Sequence, residues 1–129
     1  MVKPLRFLSV DDVLAIHEDT IRCEGGLGGV RDPGLLQSAV MTPQARFEGH
    51  WLHASLAAMA AAYHFHLCQN HPFHDGNKRV AVMAALVFLD VNGARRLPSS
   101  RELEAVTMAV ASGVMTKAEV VEWWEKRIG

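Results

Sequence analysis

The stretch His71-Pro72-Phe73-His74-Asp75-Gly76-Asn77-Lys78-Arg79, running straight into the apolar segment Val80 to Val91, decides how this chain is read. The apolar segment repeats with helical period, so Gly76 and Asn77 are predicted to stand at a helix N-terminus. Backbone N–H groups there have no partner within the helix, and the dipole adds positive potential, so the position attracts an anion such as phosphate. Lys78 and Arg79 put two full cations on that first turn, where the dipole alone would favour Asp or Glu. A ligand with more negative charge than one carboxylate is therefore expected. Asp75 has the chemistry to hold Mg²⁺, or to cap the helix, or both. His71 is placed to take a proton from an attacking hydroxyl. Gly76 is read as permitting close backbone approach to phosphate. Asn77 suits either phosphate binding or fixing of the loop, and Phe73 is read as the loop's anchor in the core. The combination predicts phosphoryl or nucleotidyl transfer.

Working outward, the rest of the chain also reads as helices joined by short loops, with no sustained alternation to support a sheet. Ser9 is predicted to cap a helix carrying Val10, Val13, Leu14 and Ile21 that ends at Gly25-Gly26. Asp32-Pro33 opens a short second helix, which stops before Pro43. Thr42 to His50 reads as a polar connector. Leu52 to Leu67 forms an alanine-rich helix that neighbours can approach closely, which suits the centre of a bundle. Gly93 closes the helix from Asn77 to Asn92 as a left-handed cap. Ser99-x-x-Glu102 and Thr116-x-x-Glu119 are capping boxes that open two more helices. The last carries Trp123 and Trp124, readable as core or as contact surface. The expected fold is all-α, a compact bundle of about six helices in a single domain spanning 1–129.

Bulk composition limits the function classes. The chain has 129 residues, half of them hydrophobic and 21% charged, as in a globular domain rather than a disordered segment. Its formal net charge of −1 provides no whole-molecule field for nucleic acid or an anionic membrane, so any phosphate site must be local. Two cysteines, Cys23 and Cys68, without framework spacing fit a reducing, cytoplasmic compartment. The first residues lack a secretion-type apolar region, and no apolar run reaches the ~18 residues of a membrane span.

At His71 to Arg79 the sequence resembles the Fic/Doc family, whose motif is His-x-Phe-x-(Asp/Glu/Asn)-(Gly/Ala)-Asn-(Gly/Lys)-Arg. Lys78, where most Fic proteins carry glycine, makes it similar to the Doc branch, the toxin half of the Phd–Doc pair. The segments Gly25 to Gly34, Gln44-Ala45-Arg46 and Val87-Phe88-Leu89 with Asn92-Gly93 also look Doc-like and follow in the expected order. The resemblance implies a Fic/Doc-like fold, ATP and Mg²⁺ as cofactors, His71 as catalytic base and Asp75 as metal ligand. It further implies nucleotide phosphates on Gly76, Asn77, Lys78 and Arg79. In the Doc branch the lysine is thought to crowd the usual phosphate position, so that the γ-phosphate moves instead of AMP. The implied acceptor is a threonine or serine of a translation factor (elongation factor Tu-like), the outcome arrested translation, and the partner a Phd-like antitoxin segment. That segment, helical on binding, is expected to cover the site and touch the alanine-rich surface.

Other residues carry weaker expectations. Asp32 is read as an N-cap, and Arg46 as a surface arginine with a substrate contact as the alternative, on a connector that reads as short for target recognition. Gln69 stands where some Doc relatives have arginine. Thr20-x-x-x-Glu24-Gly25 fits a loose inhibitory pattern of some Fic proteins, in which the glutamate pairs with the motif arginine; the preferred reading is a helix end. AMP transfer is the alternative chemistry. A metal-dependent phosphohydrolase of the HD type, drawing on seven histidines, is a second. Against it, His64 and His66 lie ~200° apart on an ideal helix. A third reading is a non-catalytic protein-binding domain.

Overall fold

At the centre of the computed structural model, which describes residues 4–128, lies the alanine-rich helix. In chain order the elements are α1 (Val10–Glu24), α2 (Pro33–Met41), a 3₁₀ turn (Thr42–Gln44), β1 (Arg46–Phe47), β2 (His50–Trp51), α3 (Leu56–Asn70), α4 (Asn77–Val91), α5 (Ser100–Ala111) and α6 (Lys117–Ile128). The described residues thus form an all-α bundle of six helices plus one small hairpin. Helix α3 packs most extensively on α4, then on α6 and α2. Ala57, Ala58, Ala60, Ala61 and Ala62 are all buried, because small side chains let those backbones close in. The alanine-rich surface expected to meet a partner is therefore consumed by the bundle itself.

Local capping chemistry sets most helix starts. Ser9 and Asp12 form a reciprocal box, Asp32 accepts from the Leu35 amide at 3.0 Å, and Ser99 pairs with Glu102. Thr116 and Glu119 exchange two bonds in the same way, at 2.9 and 3.2 Å. Two expectations are corrected. Helix α3 begins at Leu56, because Ser55 caps it through the Ala58 amide, and it runs on through Gln69 to Asn70. The connector holds a hairpin: Arg46 pairs with Trp51 and Phe47 with His50. Its turn, Glu48-Gly49, has both φ angles positive (50° and 80°), which matches the twist of a tight two-residue hairpin. Arg46 lies over Trp51 and donates to the Gly49 carbonyl, while Trp51 packs on Phe7.

Helix α6 is fastened by a buried polar chain. Trp124 Nε1 donates to His64 Nδ1 (3.0 Å), so His64 carries its proton on Nε2 and donates to Thr107 Oγ1 (2.8 Å). Thr107 passes its own hydroxyl proton to the Leu103 carbonyl at 2.6 Å. The polar side-chain atoms of Trp124, His64 and Thr107 are all paired, which is what burial demands. Burial holds the His64 pKa down at about 4. In the unfolded chain the ring titrates near ~6.5, so between those values the unfolded state binds a proton that the folded state refuses. Stability is thus unaffected above that window and falls as pH drops through it, by about 3 kcal/mol for this ring. Burial also lowers the pKa values of His53 and His66, adding in the same direction. Urea midpoints should fall between pH 6.5 and 4.5, and His64→Gln should flatten that fall. Equal slopes in the two proteins would contradict the assignment.

Candidate functional site

Where α3 ends, the chain turns sharply into the loop that carries the motif. His71 is the C-cap of α3 and adopts the left-handed conformation (φ 51°, ψ 53°). Phe73 then plunges into the core with no exposed surface. Its ring stacks on His17 of α1 at 3.8 Å between centroids, and His17 Nε2 donates to the Asp75 carbonyl at 2.9 Å. The glycine-rich loop pairs alongside: Val30 bridges Phe73, and the amides of Arg31 and Asp32 both donate to the Pro72 carbonyl. A β-carbon on Gly26 (φ 109°) would lie 3.1 Å from that of Asp75, so this approach requires glycine.

Asn77 resolves the choice left open by its position. Its side-chain oxygen accepts from the Phe73 amide and its nitrogen donates to the Phe73 carbonyl, both at 2.9 Å. The side chain clamps the loop, leaving only its backbone N–H for an anion. Asp75 does not cap α4. Its Oδ2 accepts from the Leu27 amide at 2.6 Å, and the N-cap is Gly76 in the left-handed region (φ 84°, ψ 8°), with no side-chain bond to the helix. Among the described residues the first amides of α4 therefore have no capping partner, beside exposed Lys78 and Arg79. His71, with its imidazole free of hydrogen bonds among the described residues, is exposed at the same mouth.

These groups line one end of a cavity of about 920 Å³. The other end is an apolar groove between α4 and α5, walled by Met83, Leu86, Leu103 and Met108. Nothing in the motif pointed to this wall, since α5 follows α4 only after a loop and the groove exists only once they pack. Glu24, at the end of α1, is the other residue that the preferred reading passed over. The helix does end there, with Gly25 as C-cap, and the Glu24 carboxylate also pairs with Arg79 Nε at 2.8 Å. The loose Thr20-to-Gly25 pattern was the available signal. Gln69 is tied to the Val110 carbonyl at 2.6 Å and Asp32 serves as N-cap.

A divalent cation is compatible with these donors. Leu27 occupies one Asp75 oxygen and leaves the other available, and Mg²⁺ commonly takes one or two carboxylates plus substrate phosphates. The hydrolytic metal reading finds no such support. Both His64 nitrogens are bonded within the core, His53 accepts from Lys117 at 2.8 Å, and among the described residues no three His, Cys, Asp or Glu side chains converge on one point. Among those residues, no helix is long and apolar enough to cross a membrane.

Residues 7–89 match the model of the Fic/DOC family. The chain is 31% identical over 125 residues to "Protein kinase doc" of Escherichia phage P1, covering 97% of this chain and 98% of that protein. It is 46% identical over 87 residues to "Toxin Doc" of Mycolicibacterium smegmatis, covering 67% of this chain and 65% of the relative.

Proposed function

Given that the chain belongs to the Fic/Doc family, on its Doc branch, we propose that it is a toxin that moves the γ-phosphate of ATP onto a threonine or serine hydroxyl of an elongation factor Tu-like translation factor. The observation that carries this reading is the bare N-terminus of α4, its amides uncapped beside Lys78 and Arg79, with the unbonded His71 imidazole at the same mouth. The amides of Asn77 and Lys78 with the two cations hold the phosphate chain. His71 accepts the hydroxyl proton as the substrate oxygen bonds to the γ-phosphorus, the bond to the β–γ bridging oxygen breaks, and ADP departs. Mg²⁺ on the free Asp75 oxygen would neutralise developing phosphate charge. Such a target places the activity in the cytoplasm and arrests translation.

The groove supports a partner of stated chemistry. A Phd-like antitoxin segment, helical on binding, lays an apolar face between α4 and α5 and so covers the phosphate site. Incubation with ATP labelled separately at the α and γ positions, plus a bacterial extract, tests the chemistry. Retained γ label on protein supports phosphoryl transfer. Retained α label means AMP transfer, and no label on any protein removes both.

Glu24 acts on this site as a weak brake. Its pair with Arg79 is about half exposed on each side (49% and 53%), and exposed pairs contribute roughly 0–1 kcal/mol. A triphosphate displaces it readily. Glu24→Gln is expected to lower the ATP concentration for half-maximal transfer by at most about fivefold, the equivalent of 1 kcal/mol. A change of a hundredfold, or none in nucleotide affinity with a large gain in rate, would mean that Glu24 controls the site in another way.

A further inference from the structure

His71 is one of two non-glycine residues with positive φ among those described, and the other lies in the hairpin turn. Helices often end in this conformation, but usually on glycine or asparagine, because a β-carbon crowds the following carbonyl. The residue that must present the imidazole therefore sits where the backbone itself would favour something else. What holds it is Arg31, from the glycine-rich loop. Arg31 Nε donates to the His71 carbonyl at 2.7 Å and Nη2 donates to the Asn70 carbonyl at 3.0 Å. These two oxygens belong to the peptide planes on either side of the His71 α-carbon. One planar guanidinium bonded to both fixes the angle between the planes, and hence φ and ψ at His71 together. The charge also faces the negative end of α3.

We propose that Arg31 is the positioning residue for His71: its fork holds the backbone in the left-handed state that aims the imidazole at the acceptor hydroxyl. This inference rests on the transfer reading above. The contribution is separable from fold stability. Arg31 is exposed, so its loss leaves the two carbonyls to water rather than orphaned in the core. The backbone bonds from the Arg31 and Asp32 amides to Pro72 survive any side-chain change. Lysine keeps the charge but offers a point donor instead of a fork, and so holds only one plane well.

The test compares wild type, Arg31→Ala and Arg31→Lys in two measurements. The first is the three-bond coupling between the His71 amide and α protons, which reports φ. The second is γ-label transfer from ATP to protein in a bacterial extract, as a function of ATP concentration. Arg31→Ala is expected to move the coupling away from its wild-type value and to lower the saturated rate by about 10- to 100-fold, the scale of an ångström's misplacement. The ATP concentration for half-maximal rate and the urea midpoint should stay close to wild type, and Arg31→Lys should fall between. An unchanged coupling, an unchanged rate, a loss confined to ATP affinity, or full activity in Arg31→Lys would each overturn the proposal. Should the alanine variant fail to fold, the lysine variant decides by the same readings. If wild type itself labels nothing, the transfer reading fails. The coupling then still judges this inference: unchanged in the alanine variant, it sinks it, and changed, it leaves Arg31 holding His71 in place.

Discussion

Alanine at position 71 should leave a chain that unfolds like wild type yet transfers γ label about 10²- to 10⁴-fold more slowly, the usual contribution of a positioned general base. Stability should be spared because the His71 side chain is exposed and makes no hydrogen bond within the described residues. Its removal also leaves the loop's core anchor, Phe73, in place. The rate should collapse because neither buried histidine can stand in for it. His17 is buried and committed to the Asp75 carbonyl, and His64 is committed to Trp124 and Thr107. His74, exposed in the same loop, is the natural control. His74→Ala should keep most of the activity. Transfer by His71→Ala at more than a tenth of the wild-type rate would take His71 out of proton transfer.

The second large effect belongs to Trp124. It has no exposed surface, stands edge-on to both His64 and Trp123, and supplies the proton that satisfies His64 Nδ1. Trp124→Ala loses that packing at about 3–5 kcal/mol. It also orphans a buried ring nitrogen at about 1–3 kcal/mol more. Domains of this size are stable by only ~5–15 kcal/mol, so the variant should be largely or wholly unfolded near its working temperature. Trp123 is partly exposed and mainly carries the guanidinium of Arg127, 4.1 Å from its ring. Its alanine variant should cost no more than about 1–2 kcal/mol, on the scale of one exposed cation–π contact and modest burial. Urea titration of the two variants settles the matter, and a Trp123→Ala midpoint as low as that of Trp124→Ala would overturn it.

Adjacent tryptophans illustrate why part of the structure escaped sequence reading. Both satisfy the same helical period, and only the position of α3 and α5 around α6 makes one of them core. Asp75 and Gly76 give the same lesson at the site. A carboxylate before a helix is ordinarily a cap, but a loop amide 48 positions earlier captured this one, leaving the helix mouth open. The hairpin was missed because two-residue strands are too short to show alternation. Asn77 could be read either way until the course of the loop above it was known.

Read from the chain alone, the helical class, nearly all of the caps and the cluster of base, carboxylate and cations were already determined. They depend on period, on bonds spanning three residues, and on groups contiguous along nine positions. Tertiary structure alone decided which amides stay bare, that Glu24 meets Arg79, that Arg31 grips both sides of His71, and that α4 and α5 leave an apolar groove between them. Each of these needs two segments far apart in the chain to arrive at one place, and local preference carries no information about that arrival.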